Sequence, residues 1–222
     1  MGLSNRLRKQ SDGIWRKILA HPFVRGLGDG SLTLDRFTFY LRQDYLFLIE
    51  YARVLAVAAA KAPDLGGMAR FGQLMHATLT EEMELHRRHC AGFGLTASDL
   101  EQTRMARATS AYSQFLLATA YGGGVREIAA ALLPCQWGYA EIGLHLAATG
   151  DTSEANPYAQ WIGAYSAPEF QELADWLKGY LDDHTRRISL DERRRLEHLY
   201  RAGSRHEYLF WDMAYRKESW PV

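Results

Sequence analysis

Apolar side chains recur along this chain at steps of three and four. Phe37, Leu41, Leu48, Tyr51 and Leu55 follow that spacing, as do Ile128, Leu132, Ile142 and Leu146, and later Leu196, Tyr200, Gly203, Phe210 and Ala214. The steps place each set on one face of an α-helix. No convincing strand pattern interrupts them, so the prediction is an all-α, single-domain helical bundle spanning residues 1–222. A first helix is expected over 4–20, broken by His21-Pro-Phe, with Gly26, Gly28 and Gly30 forming a turn. Thr33 should cap a long helix to about Lys61, with Asp35 in the first turn, where the helix dipole favours a negative charge. After Pro63 and Gly66-Gly67 a third helix should run to about Ala91. Ser98 with Glu101 reads as a capping box for a short segment. Further helices are expected over 109–121, 125–149 and 158–165. Ser166 with Glu169 and Ser189 with Glu192 should cap two more, to about Arg187 and Arg216.

Polar groups interrupt several of these faces. Asp44 lies within the Phe37 stripe and Glu207 within the Leu196 stripe. Tyr112 shares a face with Phe115, Leu116 and Thr119. Cys135 and Tyr139 fall on the face of Leu132 and Ile142, one turn apart, and Pro134 removes a backbone donor just before the thiol. A lone thiol on an apolar face is ordinarily a small core residue. Here it has company, because buried carboxylates are costly unless paired or used. Two carboxylates, a thiol and several phenols facing inward point to a site.

Composition narrows what that site can serve. Lys plus Arg and Asp plus Glu each number 26 in 222 residues, so the net charge is zero and no bulk charge draws the chain to nucleic acid. An aromatic content of 12% suits a pocket for a flat ring, or simply an aromatic core. The two cysteines, Cys90 and Cys135, form no Cys-x-x-Cys pair and imply no disulfide framework, which fits a reducing, cytoplasmic setting. The segment from Met1 to Lys9 has no apolar core for export, and Arg6 stands where N-myristoylation needs Ser or Thr. The longest apolar run, Val54 to Ala60, is too short to span a bilayer, so no membrane partner is expected. Gly122-Gly-Gly has neither a preceding strand nor a following Lys-Ser/Thr and reads as a turn, not a phosphate cradle.

A metal centre is weighed and set aside. Glu82, His86 and His89 share a helical face, and Glu141 and His145 lie one turn apart. Carboxylate-bridged di-iron bundles use Glu-x-x-His, which this chain lacks. Glu82–His86 and Glu141–His145 read instead as paired, partly buried charges, with His86 also available to buttress a pocket.

Several long motifs carry a resemblance. They are Gln43-Asp-Tyr-Leu-Phe-Leu with Tyr51-Ala-Arg, Glu81-Glu-Met-Glu-Leu-His, Ala111-Tyr, Leu132-Leu-Pro-Cys-Gln-Trp-Gly-Tyr-Ala-Glu-Ile-Gly, and Ser204-Arg-His-Glu-Tyr-Leu-Phe-Trp-Asp-Met-Ala-Tyr. Over nearly its whole length the chain resembles the TenA family, the thiaminase II or aminopyrimidine aminohydrolases. The resemblance implies a haem-oxygenase-like helical fold, a homotetramer and a role in thiamine salvage. The implied substrate is 4-amino-5-aminomethyl-2-methylpyrimidine, with thiamine also cleaved. By position, Cys135 matches the nucleophile, Glu207 the proton donor and Asp44 the carboxylate that holds the aminopyrimidine. Tyr112, Tyr139 and Tyr165 match pocket groups, with Tyr51, His86 and Phe210 as support. Phe47 is a departure: some members carry Tyr there, whose hydroxyl is thought to help the thiol. Phe47 keeps the stacking ring, which leaves thiol activation to Tyr139.

The residue types suit that chemistry. Thiolate addition to an electron-poor pyrimidine gives a covalent adduct, from which the exocyclic amine expels the group on the 5-methylene. An amine leaves only once protonated, which requires an acid such as Glu207. The reaction needs neither a metal nor an organic cofactor. A regulatory or pyrimidine-carrying protein is the alternative from another class. The chain lacks a helix-turn-helix with a basic face, and retention of Cys135 and Glu207 favours catalysis.

Overall fold

The computed structural model describes residues 2–221, apart from the side chains of Glu81, Glu82, Leu85, His89 and Ala97. The described residues form helices and no strand. Twelve α-helices follow in order: α1 (Leu3–Gln10), α2 (Asp12–Leu19), α3 (Pro22–Asp29), α4 (Leu34–Lys61), α5 (Leu65–Ala77), α6 (Met83–Gly92), α7 (Ala97–Glu101), α8 (Arg107–Gly122), α9 (Val125–Thr149), α10 (Ala159–Ser166), α11 (Pro168–His184) and α12 (Leu190–Arg216). A π turn, Thr78–Glu82, joins α5 to α6.

The chain divides into two compact units. One holds the residues up to Thr33 with Ala129–Asp212; the other holds Leu34–Ile128 with the residues from Met213 on. Of the three division points one falls just before α4 and the other two inside α9 and α12.

The three long stripes are buried. Phe37, Leu41, Asp44, Leu48, Tyr51 and Leu55 line the inner face of α4. Ile128, Leu132, Tyr139, Ile142 and Leu146 do so on α9, and Leu196, Tyr200, Glu207, Phe210 and Ala214 on α12. Each fully buried Leu, Ile or Phe contributes roughly 1.5–3 kcal/mol. The apolar stripe therefore decides where these helices pack, and their few polar members must be accommodated.

Local chemistry explains the helix ends and corrects part of the sequence reading. The first predicted helix is two, because Ser11 turns to φ −99°, ψ 7° between α1 and α2. Gly26 and Gly28 form no turn. They lie inside α3, which starts with Pro22 at its N-terminus and with the His21 ring accepting from the Phe23 N–H at 3.2 Å. Of these three glycines, Gly30, at φ 73°, adopts the left-handed conformation that ends a helix. The cap of α7 is Thr96 with Asp99, not Ser98 with Glu101: Thr96 Oγ1 accepts from the Asp99 N–H while the Asp99 carboxylate accepts from the Thr96 N–H. Ser166 caps nothing. Its hydroxyl donates back to the Gly163 carbonyl, and Pro168 opens α11. The reciprocal Ser189–Glu192 box forms as predicted.

The π turn changes which residues face inward. Gly67, Phe71, Leu74 and Thr78 are buried at steps of four, three and four. The next buried position among the described side chains is Met83, five residues on and not three or four. The wider turn delays it by one residue, so that the face continues through Met83, His86 and Cys90.

Candidate active site

The predicted site residues gather in two clusters, one in each unit. In the first unit, α9 carries Cys135, which is half-buried, and Tyr139 one turn later. Pro134 withholds the donor that the Ala130 carbonyl would otherwise receive. Gly203 of α12 fits against the Pro134 ring: a Cβ there would lie 2.9 Å from Pro134 Cγ. One turn beyond Gly203 on α12 comes Glu207, 2% exposed, with Phe210 buried after it.

Aromatic rings enclose Tyr139. Its centroid lies 4.9 Å from Tyr165, 5.2 Å from Trp211 and 6.1 Å from Trp161. Trp161 and Tyr165 of α10 are themselves 4.5 Å apart, and Phe170 meets Tyr165 edge-on at 4.9 Å. The phenol of Tyr139 is thus held by tilted ring contacts at favourable separations.

Two features of the backbone make this box possible. A Cβ on Gly143 would lie 2.4 Å from the Tyr165 carbonyl carbon, so only glycine lets α10 close onto α9 here. Gln171 of α11 then ties the two together, donating to the Ala140 and Tyr165 carbonyls at 3.2 and 2.9 Å. His21 steadies α12: its Nδ1 accepts from Phe23, so its Nε2 carries the proton and faces Asp212 at 3.5 Å.

The second unit holds Asp44, Phe47, Tyr51, His86 and Tyr112, all buried. Phe47 lies 4.9 Å from Tyr112 and 6.0 Å from Tyr51. Gln43 pins the start of α8, the helix that carries Tyr112, to α4. The Gln43 Oε1 accepts from the Ala106 N–H and the Thr109 hydroxyl, both at 2.8 Å, and its amide donates to the Arg104 carbonyl at 3.0 Å. The Tyr40 hydroxyl donates to Asp44 Oδ2 at 3.4 Å, and His86 Nδ1 lies 3.7 Å from the same oxygen. The other ring nitrogen of His86 donates to the Leu41 carbonyl at 2.6 Å. Cys90 lies one turn past His86. Burial, and after it the negative charge of Asp44, pushes its thiol up to about 12.

Trp161, Trp211, Gln171, Gln43 and His21 carry no role in the sequence reading. The tryptophans were visible as aromatic positions on predicted helices. The glutamines and the histidine act on backbone groups or side chains far away in sequence, which no local pattern reports.

The charge pairs differ from expectation in one respect. Glu141 pairs with Arg8, not His145, accepting two bonds at 2.8 and 2.5 Å. The guanidinium fork matches both carboxylate oxygens, which one imidazole nitrogen cannot do. Burial alone would lower the Arg8 pKa, but the bond to Glu141 and its charge outweigh that and hold it above its ordinary value. Glu82 and His89, two of the three residues of the rejected metal set, lie outside the described residues. Among the described residues no three His, Cys, Asp or Glu side chains gather as a metal set. No described helix is long and apolar enough to cross a membrane.

Comparison with known sequences gives these clusters a context. The pattern of the TENA/THI-4/PQQC family matches residues 8–217. The chain belongs to that family. It is 42% identical over 220 residues to an aminopyrimidine aminohydrolase of Halalkalibacterium halodurans, covering 99% of this chain and 98% of that one. A solved TenA homologue from P. horikoshii OT3 superposes with a TM-score of 0.91 at 35% identity, covering 97% of this chain and 99% of the other. The family fold extends to a protein of Shewanella denitrificans described as having a heme oxygenase-like fold. That protein superposes with a TM-score of 0.73 at 14% identity over 96% of this chain and 92% of the other. The fold is therefore all-α and haem-oxygenase-like.

Proposed function

We propose that this protein is an aminopyrimidine aminohydrolase of thiamine salvage. It would convert 4-amino-5-aminomethyl-2-methylpyrimidine and water to the 5-hydroxymethyl compound and ammonia, and would also cleave thiamine. One observation carries the reading: the aminopyrimidine aminohydrolase of H. halodurans matches essentially the whole chain at 42% identity.

The residues support a mechanism. The Cys135 thiolate adds to the electron-poor ring, forming a C–S bond and placing the displaced electron pair on the ring. The exocyclic amine then pushes electrons toward the 5-methylene carbon, whose bond to the leaving nitrogen breaks. Glu207 donates a proton to that nitrogen, so that ammonia departs and not an amide ion. Water adds to the exposed methylene, a proton returns to the carboxylate, and the C–S bond breaks to release the thiolate. Asp44 accepts from the exocyclic amino group, a charge-assisted contact that selects an aminopyrimidine over an oxopyrimidine. Tyr139 supplies the hydroxyl beside the thiol. Tyr165, Tyr112 and Phe47 contribute aromatic surface for a planar ring, with Tyr51, His86 and Phe210 behind them.

Ammonia release from the aminomethylpyrimidine, measured with wild type and Cys135→Ser, tests the proposal. Turnover by wild type and its loss in the variant is the expected result. A protein that binds the pyrimidine without releasing ammonia would be a carrier or regulator instead. The family resemblance also implies a cytoplasmic homotetramer, and sedimentation should give four times the 25.2 kDa chain mass.

A further inference from the structure

Both ring nitrogens of His86 face a single turn of α4. Its Nε2 lies 2.6 Å from the Leu41 carbonyl oxygen, and its Nδ1 lies 3.7 Å from Asp44 Oδ2. A carbonyl oxygen only accepts, so Nε2 must carry a hydrogen. In a neutral ring Nδ1 would then present a lone pair to the carboxylate. Two electron-rich groups would face each other where His86 is 6% and Asp44 4% exposed, with little water to screen them. A proton between the two removes the conflict. Imidazole is the stronger base, with an ordinary pKa of about 6.5 against about 3.9 for an aspartate. A buried carboxylate also needs a compensating charge. Nearby, the Tyr40 hydroxyl donates to the same Oδ2 at 3.4 Å, the Tyr45 ring lies 6.3 Å from the His86 ring, and the Cys90 thiol holds its own proton. The π turn at Thr78–Glu82 brings the inward face of α6 to this residue.

We propose that His86 is a positioning residue for Asp44: an imidazolium whose Nδ1–H keeps the Asp44 carboxylate ionised and aimed, so that it can accept from the exocyclic amine of the pyrimidine. His86 does not touch the substrate. It fixes the charge and direction of the group that does. The part concerning substrate rests on the reading of Asp44 given under the proposed function.

Two amide substitutions separate the roles of the two nitrogens. In His86→Gln the side-chain amide reaches the position of Nε2 and can still donate to Leu41, but position 86 no longer offers a donor to Asp44. In His86→Asn the amide lies at the position of Nδ1 and can donate to Asp44. With the aminomethylpyrimidine, His86→Gln is expected to raise KM on the order of tenfold or more with kcat changed only a few-fold, the scale of a lost charge-assisted contact. His86→Asn should recover most of that loss. Equal KM values for the two variants, or an unchanged KM in His86→Gln, would overturn the proposal. The proton itself is read without substrate, from 15N NMR of histidine-labelled protein, with the His86 signals assigned by their loss in His86→Gln. Both ring nitrogens of His86 should be protonated at neutral pH, and Asp44→Asn should remove the proton from Nδ1. A neutral ring in wild type would sink the idea even if the enzyme is active. Conversely, a wild type that releases no ammonia would refute the proposed reaction while the NMR result still decides the state of His86.

Discussion

Cys135 on α9 and Cys90 on α6 are the two thiols of the chain, and both lie on helices. Their surroundings differ in chemistry. Cys90 is 1% exposed and lies within the field of Asp44, and both burial and that charge oppose its ionisation, pushing the thiol to about 12. Cys135 is half-buried and follows a proline inside its helix. One turn away on the same face is a tyrosine held by three other aromatic rings. One region seals a thiol away; the other keeps it accessible. The two thiols therefore differ in burial and in the charge beside them.

The largest effect should come from removing the accessible thiol. Cys135→Ser is expected to lose orders of magnitude in turnover, because an alcohol is a far poorer nucleophile near neutral pH. A variant keeping more than about a tenth of the rate would exclude the covalent route. Next comes Glu207→Gln, which should slow the aminomethyl substrate much more than thiamine. An amine must be protonated to leave, whereas a thiazolium already carries positive charge. Equal slowing of both substrates would move Glu207 to an earlier proton transfer. Asp44→Asn should weaken aminopyrimidine binding by about one to two orders of magnitude, the range of a lost charged hydrogen bond. Its melting temperature should change little, and a large loss of stability with binding intact would make Asp44 a structural carboxylate. The smallest effects belong to Cys90. Cys90→Ala should leave turnover within a few-fold, and iodoacetamide at pH 8 should label Cys135 in the folded protein while sparing Cys90 until denaturant is added. Labelling of Cys90 at a comparable rate would erase the contrast between the two regions.

The sequence reveals whichever parts of the fold repeat with period 3.6. The bounds of α9 match the predicted 125–149, and the stripes on α4, α9 and α12 are buried as read. Asp44, Glu207, Cys135 and Tyr139 stand out because each breaks an apolar stripe. Sequence logic misreads glycines that serve packing: Gly26 and Gly28 look like a turn but lie inside α3, where a Cβ would meet Leu32 or Leu146 at 2.9 Å. It also selects the wrong capping box when two overlap, as Thr96–Asp99 and Ser98–Glu101 do. The π turn is invisible because Thr78–Glu82 carries too few apolar residues to reveal a change of phase. Gln43 and Gln171 escape for a different reason. Their partners, the Arg104 and Ala140 carbonyls among them, are set by how the helices pack together.

The backbone of α9 carries a consequence for how the protein acquires its shape. Pro134 costs a helix interior about 3 kcal/mol, and Gly138 and Gly143 about 1 kcal/mol each, relative to alanine. A peptide of residues 125–149 alone should therefore show little helicity in water. The same three positions are where neighbours come close. Gly203 fits against Pro134, the Trp15 ring lies 2.2 Å from where a Gly138 Cβ would be, and the Tyr165 backbone occupies the notch at Gly143. Each local weakness is thus a docking point, where α2, α10 and α12 come close to α9. The helical shape of the segment that carries Cys135 therefore depends on tertiary packing more than on its own propensity.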